Sequence, residues 1–344
     1  MWSNAGTTAT ITMNPSYKWS DGKPLSSQDV AFDIDLIKAA VKENPTSWAG
    51  YQPGFFPDDV ASVRVADART LVLDLKSPVN PSWFYEDDLE ALQPLPAHAW
   101  ARASANGPLL YFTDPANAKQ IYDYLITQEN ATSTWTTNPL WQLVDGPFRL
   151  STLNHSTGSY TMVLNPSYRG PSSHQVTALH AVPFSTEADE FSALQVTALA
   201  AAARQVGIEI TLVPNRLAAI VTNDDDAASP ANENKWAMED FGSYTQVVYP
   251  TTITVFNTGG SYNFGGYSDP QADSLINASV NSANPDAVRA EATYLTAQQP
   301  ALFQANADVV FAWKKTLSGP PDSFANLTQY YMTPESWYIT VAGG

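Results

Sequence analysis

The window YKWSDGKPLSSQDVAFDIDLIKAA, Tyr17 to Ala40, leaves the chain little choice of local structure. It follows an alternating run, TATITMN, which puts Ile11 and Met13 on one face and predicts a strand. Asp21 and Gly22 stand where a tight turn needs them. Ser26 is placed to cap a helix, and Asp29 can return the bond in a capping box. Val30, Ile34, Ile37 and Val41 then share one stripe, so a helix of about four turns follows. Strand, turn and capped helix come as one piece, with no obvious catalytic residue.

Farther along, VASVRVAD and TLVLDLKS alternate about ARTL and predict a hairpin with Val63, Val65, Leu71, Leu73 and Leu75 in the core. EALQPLPAHAW is broken by proline. NAKQIYDYLITQ reads as a helix with apolar Ile121, Tyr122, Leu125 and Ile126. DGPFRLSTLNHSTGSYTMVLNPSYRGP reads as two strands around a polar loop with Gly158, and QVTALHAVPF as a third. VTALAAAARQVGIEITLVP reads as a helix ending at Gly207, then a strand of Ile208, Ile210 and Leu212. The preceding STEADEFSALQ starts an element that does not develop, so a discontinuity is expected at Gln195–Val196. NDDDAASPANEN is a solvated loop; Asp269-Pro270 and Asn284-Pro285 each open a helix; ADVVFAWKK is a strand and the aromatic tail is extended.

The length of 344 residues suggests more than one lobe. A net charge of −17 repels phosphate backbones and anionic bilayers, so no nucleic-acid partner is expected. Without cysteine there is neither a disulfide frame nor a thiolate metal site. No apolar run is long enough to span a bilayer, and the first residues lack a leader's basic and apolar regions. If the protein is exported, its leader lies outside this chain.

Hydrolase signatures are missing: there is neither G-x-S-x-G nor H-E-x-x-H. His98, His155, His174 and His180 lack metal-ligand spacing, and TGGSYNFGG lacks the Lys-Ser/Thr of a phosphate loop. The acids Glu86, Asp87 and Asp88 read as surface. What remains is aromatic. Ten Trp, 16 Tyr and 14 Phe, many within 236–267 beside glycines, suit a cleft that grips a ligand with rings and amides. Trp236, Gln246, Tyr249, Asn257, Tyr262 and Asn263 are the candidate contacts; no catalytic residue, metal ligand or cofactor is expected.

The run Trp19-Ser20-Asp21-Gly22, Pro24-Leu25 and Asp29-Val30 resembles the signature of the family 5 extracellular solute-binding proteins, the peptide-binding components of ABC importers. GPFRLSTLN…LNPSYRGP, QVGIEITLV and YSDPQADSLI resemble three further motifs of that family, in the same order. The resemblance implies an α/β, two-lobed periplasmic-binding-protein-like clamp with an extra subdomain, closing on a ligand by hinge motion. It places residues 1–141 in the subdomain, 142–195 in lobe one, 196–315 in lobe two and 316–344 in a return to lobe one. Against complete members, the start of lobe one and the first half of lobe two are missing, the latter near 195/196. The opening window is scaffold in such proteins, with Tyr17 and Trp19 packing and Asp21-Gly22 turning.

The resemblance also implies a monomer outside the cytoplasm, periplasmic or lipid-anchored, that serves a membrane permease. Short peptides are the leading ligand, with an oligosaccharide or other neutral solute second. In peptide binders of the family an Asp shortly before an Asp-Pro pair neutralises the ligand's α-ammonium. Here Tyr249-Pro250 takes the place of the pair and Gln246 that of the Asp. An amide orients a backbone or hydroxyl but cannot neutralise an ammonium; Glu239 and Asp240 are nearby but off the matching position. From another class, a secreted glycan hydrolase would need two carboxylates about 5–9.5 Å apart across a cleft.

Overall fold

The computed structural model describes residues 1–48, 51, 53–89, 92–170, 175–182, 188–213, 249–260, 262–263, 265–301, 314–319 and 334–339, with backbone alone for 46, 188–195 and 339. The chain forms two compact units. Unit 1 is Met1–Pro183 with Phe311–Gly344, and unit 2 is Phe184–Val310.

Unit 1 is built around the opening window. Strand β1 (Trp2–Ser3) pairs with β2 (Thr8–Thr12), and helix α1 (Ser27–Glu43) follows the turn. The predicted hairpin forms as β3 (Val60–Asp67) and β4 (Thr70–Leu75), and the sheet is antiparallel in the order β1-β2-β4-β3. β4 is therefore interior. Leu71, Leu73 and Leu75 are buried on one face and Val72 on the other. Helix α1 packs on β3 and β4 and against α4 (Pro115–Asn130), with Phe32, Ile34 and Ile121 sealed between. A one-turn helix α2 (Pro81–Trp83) runs into a π-helical turn, Phe84–Asp88, and α3 (Ala97–Trp100) buries Trp100.

Two expectations need correction here. Val65 is 41% exposed, because β3 is an edge strand and bulges beside Val60 and Val65 break its alternation. A Val65→Thr variant should hold stability within about 0.5 kcal/mol in a urea melt. In α4 the buried residues are Ala118, Ile121 and Tyr124, while Tyr122, Leu125 and Ile126 are half-buried.

The expected three-strand set forms as β5 (Phe148–Leu153), β6 (Tyr160–Leu164) and β7 (Ala178–Ala181), antiparallel in that order. In unit 2, helix α5 (Ala188–Gln205) runs unbroken through Gln195–Val196, where a discontinuity was expected. It ends at Gly207, as predicted, with the Ile208 N–H returning to the Ala203 carbonyl. The strand expected at 208–213 does not form: the segment pairs with no described strand, and Ile208 and Leu212 are exposed. A strand needs partners to persist. A single turn α6 (Ile253–Phe256) precedes the hairpin of α7 (Pro270–Asn281) and α8 (Pro285–Gln298), each with proline at its first turn and an Asx cap. In unit 1, β8 (Leu317–Ser318) pairs with β9 (Tyr338–Ile339) in the tail. The expected strand ADVVFAWKK and the acidic run at 223–226 lie outside the described residues, save for Lys314 and Lys315.

Candidate functional site

The WSDG turn is scaffold in unit 1. Gly22 takes a left-handed φ of +89°, which lets the Trp19 N–H reach the Lys23 carbonyl at 2.8 Å. Trp19 is buried, and Tyr17 meets Tyr168 with ring centres 6.3 Å apart. Asp21 is held by the Lys23 N–H at 3.0 Å and by His98 Nε2 at 2.9 Å. Ser20 joins distant segments: its N–H donates to the Val144 carbonyl, its hydroxyl to the Gln142 carbonyl, and its own carbonyl accepts from Ser167.

Asp29 does more than complete the capping box. It is 3% exposed and accepts from the Ser26 N–H at 2.8 Å, the Ser26 hydroxyl at 3.0 Å, the Trp19 indole at 3.2 Å and the Ala97 N–H at 2.9 Å. One carboxylate thus fixes the start of α1, the signature tryptophan and the entry to α3.

The aromatic-glycine segment lies in unit 2. Tyr249 donates its hydroxyl to the Ser279 carbonyl at 3.3 Å, and Thr251 and Ser279 hydroxyls meet at 3.2 Å. Glu291 on α8, 1% exposed, accepts at Oε1 from the Thr252 N–H at 2.8 Å and its hydroxyl at 2.6 Å. Beyond α6 the chain folds back on itself. A Cβ on Gly260 would stand 2.4 Å from the Thr254 carbonyl oxygen, so only glycine fits. Asn263 closes the loop, donating to the Asn257 carbonyl at 2.9 Å and the Tyr267 carbonyl at 2.7 Å while accepting from the Tyr267 N–H at 2.9 Å. Asp269 accepts from the hydroxyls of Tyr294 at 2.8 Å and Tyr267 at 3.3 Å, and the Tyr294 bond leads the effects holding its carboxyl below the usual range.

Of the six candidate contacts, the structure brings Asn257, Tyr262 and Asn263 into one loop and ties Tyr249 to α7. Trp236 and Gln246 lie outside the described residues. The Asn263 amide is spent on the loop's own backbone. Asn257 is buried, and its Oδ1 meets no hydrogen-bond donor among the described residues. A shallow depression of about 620 Å³ between α7 and α8, lined by Leu275, Arg289 and Tyr294, includes none of the candidates. Among the described residues no cluster of His, Asp or Glu could hold a metal. The segment is a braced loop, built to hold a shape.

Residues 1–203, more than half of the chain, match the family described as bacterial extracellular solute-binding proteins, family 5 Middle. The chain belongs to that family. Its α/β architecture is that of the family's two-lobed binding proteins, which work outside the cytoplasm, and no helix among the described residues is long and apolar enough to cross a membrane. Among solved structures, a putative peptide-binding protein AppA from Clostridium difficile is similar at 12% identity over 98% of this chain and 90% of that one, with a TM-score of 0.53. NikZ from Campylobacter jejuni, in complex with Ni(L-His), is 19% identical over 57% of this chain and 31% of its own, at a TM-score of 0.35. The substrate-binding protein CtaP from Listeria monocytogenes is 18% identical over 57% and 33%, also at 0.35. This chain thus spans about a third of the length of the last two. No curated protein matches it.

Sequence reasoning missed two sets of residues. Glu291 falls on the inward stripe of α8 with buried Leu295 and half-buried Val288, and a carboxylate on an apolar stripe is the signal that could have found it. Asp88, read as a surface acid, is buried together with Asp59. Both stand in acidic runs, so nothing in the local pattern marks them as interior.

Proposed function

We propose that this chain is the solute-recognition component of an ABC importer, a non-catalytic monomer that captures a short peptide by closing two lobes on it and hands it to a membrane permease. In this reading residues 1–141 form the extra subdomain, 142–195 and 316–344 belong to lobe one, and 196–315 to lobe two. The observation that carries it is the family match over residues 1–203. Ligand binding favours the closed state because the ligand then touches both faces. The braced loop at 249–267, with Trp236 and Gln246, supplies one of those faces.

The uncharged Gln246, at the position of the family's ammonium-binding Asp, favours a second reading: a neutral solute such as an oligosaccharide, held by ring stacking and amide contacts. A thermal-shift screen separates the two. Di- to octapeptides, oligosaccharides and metal chelates are tested in turn. A ligand present at a hundred times its Kd adds about 2.7 kcal/mol to the native state and raises the melting temperature by several degrees. Peptide hits support the first reading, and a response to sugars alone replaces it with the second. Gln246→Ala should weaken the hit at least tenfold by calorimetry; unchanged affinity removes Gln246 from the site.

A further inference from the structure

A recess of about 360 Å³ lies within unit 1, between the proline-broken run that precedes α3 and the segment that leads into β5. Trp19, Gln93, Leu95, Trp141, Leu143 and Asp145 are among its lining residues, and Asp145 is the one charged residue of the described wall. A volume near the lower end of the roughly 300–1,000 Å³ range of ligand sites suits a small molecule. No residue of the 249–267 loop takes part, so the recess stands or falls separately from the importer reading. Buried polar groups fix both walls. On one side Asp33, 8% exposed, accepts from the Gln93 N–H at 3.0 Å, and Asp29 holds the Ala97 N–H two residues beyond Leu95. On the other, the Ser20 hydroxyl accepts from the Val144 N–H at 3.2 Å, and the Asn165 amide donates to the Gly146 carbonyl at 2.9 Å. The Trp141 ring packs on Trp100 with centres 4.6 Å apart and on Trp135 at 6.4 Å. The walls are set before any ligand arrives, so binding loses little to ordering the protein.

Charge gives the recess its chemistry. Asp145 is half-buried and forms no ion pair among the described residues. Burial raises its carboxyl above the usual range against the pull of its own N–H; the Asp29 charge adds to the rise and the Gly146 N–H opposes it. A carboxylate withdrawn from water beside a second acid gains from any cation that reaches it. Indole faces attract cations as well, and an apolar body fits against leucine. We propose that this recess binds a small organic cation, an alkylammonium whose charged head meets Asp145 and whose apolar body lies against Trp19, Trp141 and Leu143.

Isopentylamine and its neutral counterpart isopentanol test this, titrated into the isotope-labelled full chain at about pH 7.5, where an amine is charged. The indole N–H signals of Trp19 and Trp141 report the recess by NMR. A ligand of so few atoms binds with a Kd on the order of 1 mM, so the titration runs through that range. The amine should shift both signals to saturation, and isopentanol should bind at least tenfold more weakly. Asp145→Asn keeps an acceptor oxygen for the Gly146 N–H but no charge, and it should weaken the amine at least tenfold. The proposal fails if the amine leaves both signals in place, or if Asp145→Asn retains the wild-type affinity. It also fails if isopentanol binds as tightly as the amine, since the recess would then select an apolar body and not a cation. Should the Asn variant not fold, the comparison of amine with alcohol on the wild type decides alone.

Discussion

Asp29→Ala should cost unit 1 about 3–5 kcal/mol, a large share of the roughly 5–15 kcal/mol that holds a typical domain together. The variant strands the Ser26 and Ala97 N–H groups and the Trp19 indole, all directed at one buried carboxylate. Each stranded buried donor costs about 1–3 kcal/mol, and local movement recovers only part of it. Asp29→Asn keeps one oxygen and turns an NH2 toward the remaining donors, so it should lose about half as much. All tryptophans except Trp236 belong to unit 1, so the urea midpoint read by tryptophan fluorescence reports this unit directly. A midpoint for Asp29→Ala that matches wild type would refute the role given to this carboxylate.

Glu291→Ala should act on unit 2 in the same way. It removes the acceptor of both the Thr252 N–H and the Thr252 hydroxyl, and with it the tether from α8 to the segment that leads into the braced loop. Hydrogen bonds to a charged group are worth about 1.5–3 kcal/mol, so a loss of about 2–4 kcal/mol follows once the emptied space is included. Amide exchange at Thr252 should quicken more than a hundredfold, while amides in β4 stay protected. Glu291→Gln retains an acceptor oxygen and should recover most of that protection. Equal exchange at Thr252 in wild type and Glu291→Ala would show that the tether carries no load.

The local pieces were readable because their signals are local. Ser26 and Asp29 lie within one helical turn, Asp269-Pro270 and Asn284-Pro285 announce their helices, and Gly207 ends another. What the pattern could not carry was partnership across the chain. Val65 alternates like a core residue, but its cover depends on where β3 falls in the sheet and on two bulges. The run at 208–213 alternates too, and it pairs with no strand among the described residues. Asp59 and Asp88 look solvated beside Asp58 and Asp87 because the ring pairs that join their segments, Phe55 with Trp83 and Phe56 with Phe84, link residues far apart in the sequence. In the aromatic-glycine loop, the residue types suggested recognition, yet Asn263 satisfies its amide internally, a use that composition does not distinguish from binding.

Ser20 has a consequence for the order of assembly. Its bonds to Gln142, Val144 and Ser167 span 122, 124 and 147 residues. Unit 1 therefore cannot finish its central junction until a ribosome has released the chain well beyond Ser167. Closing loops of that length is slow, since chain entropy must be given up before the contacts form. While the chain is being made, the turn at Ser20 is therefore held by its local bonds alone, and the junction closes last.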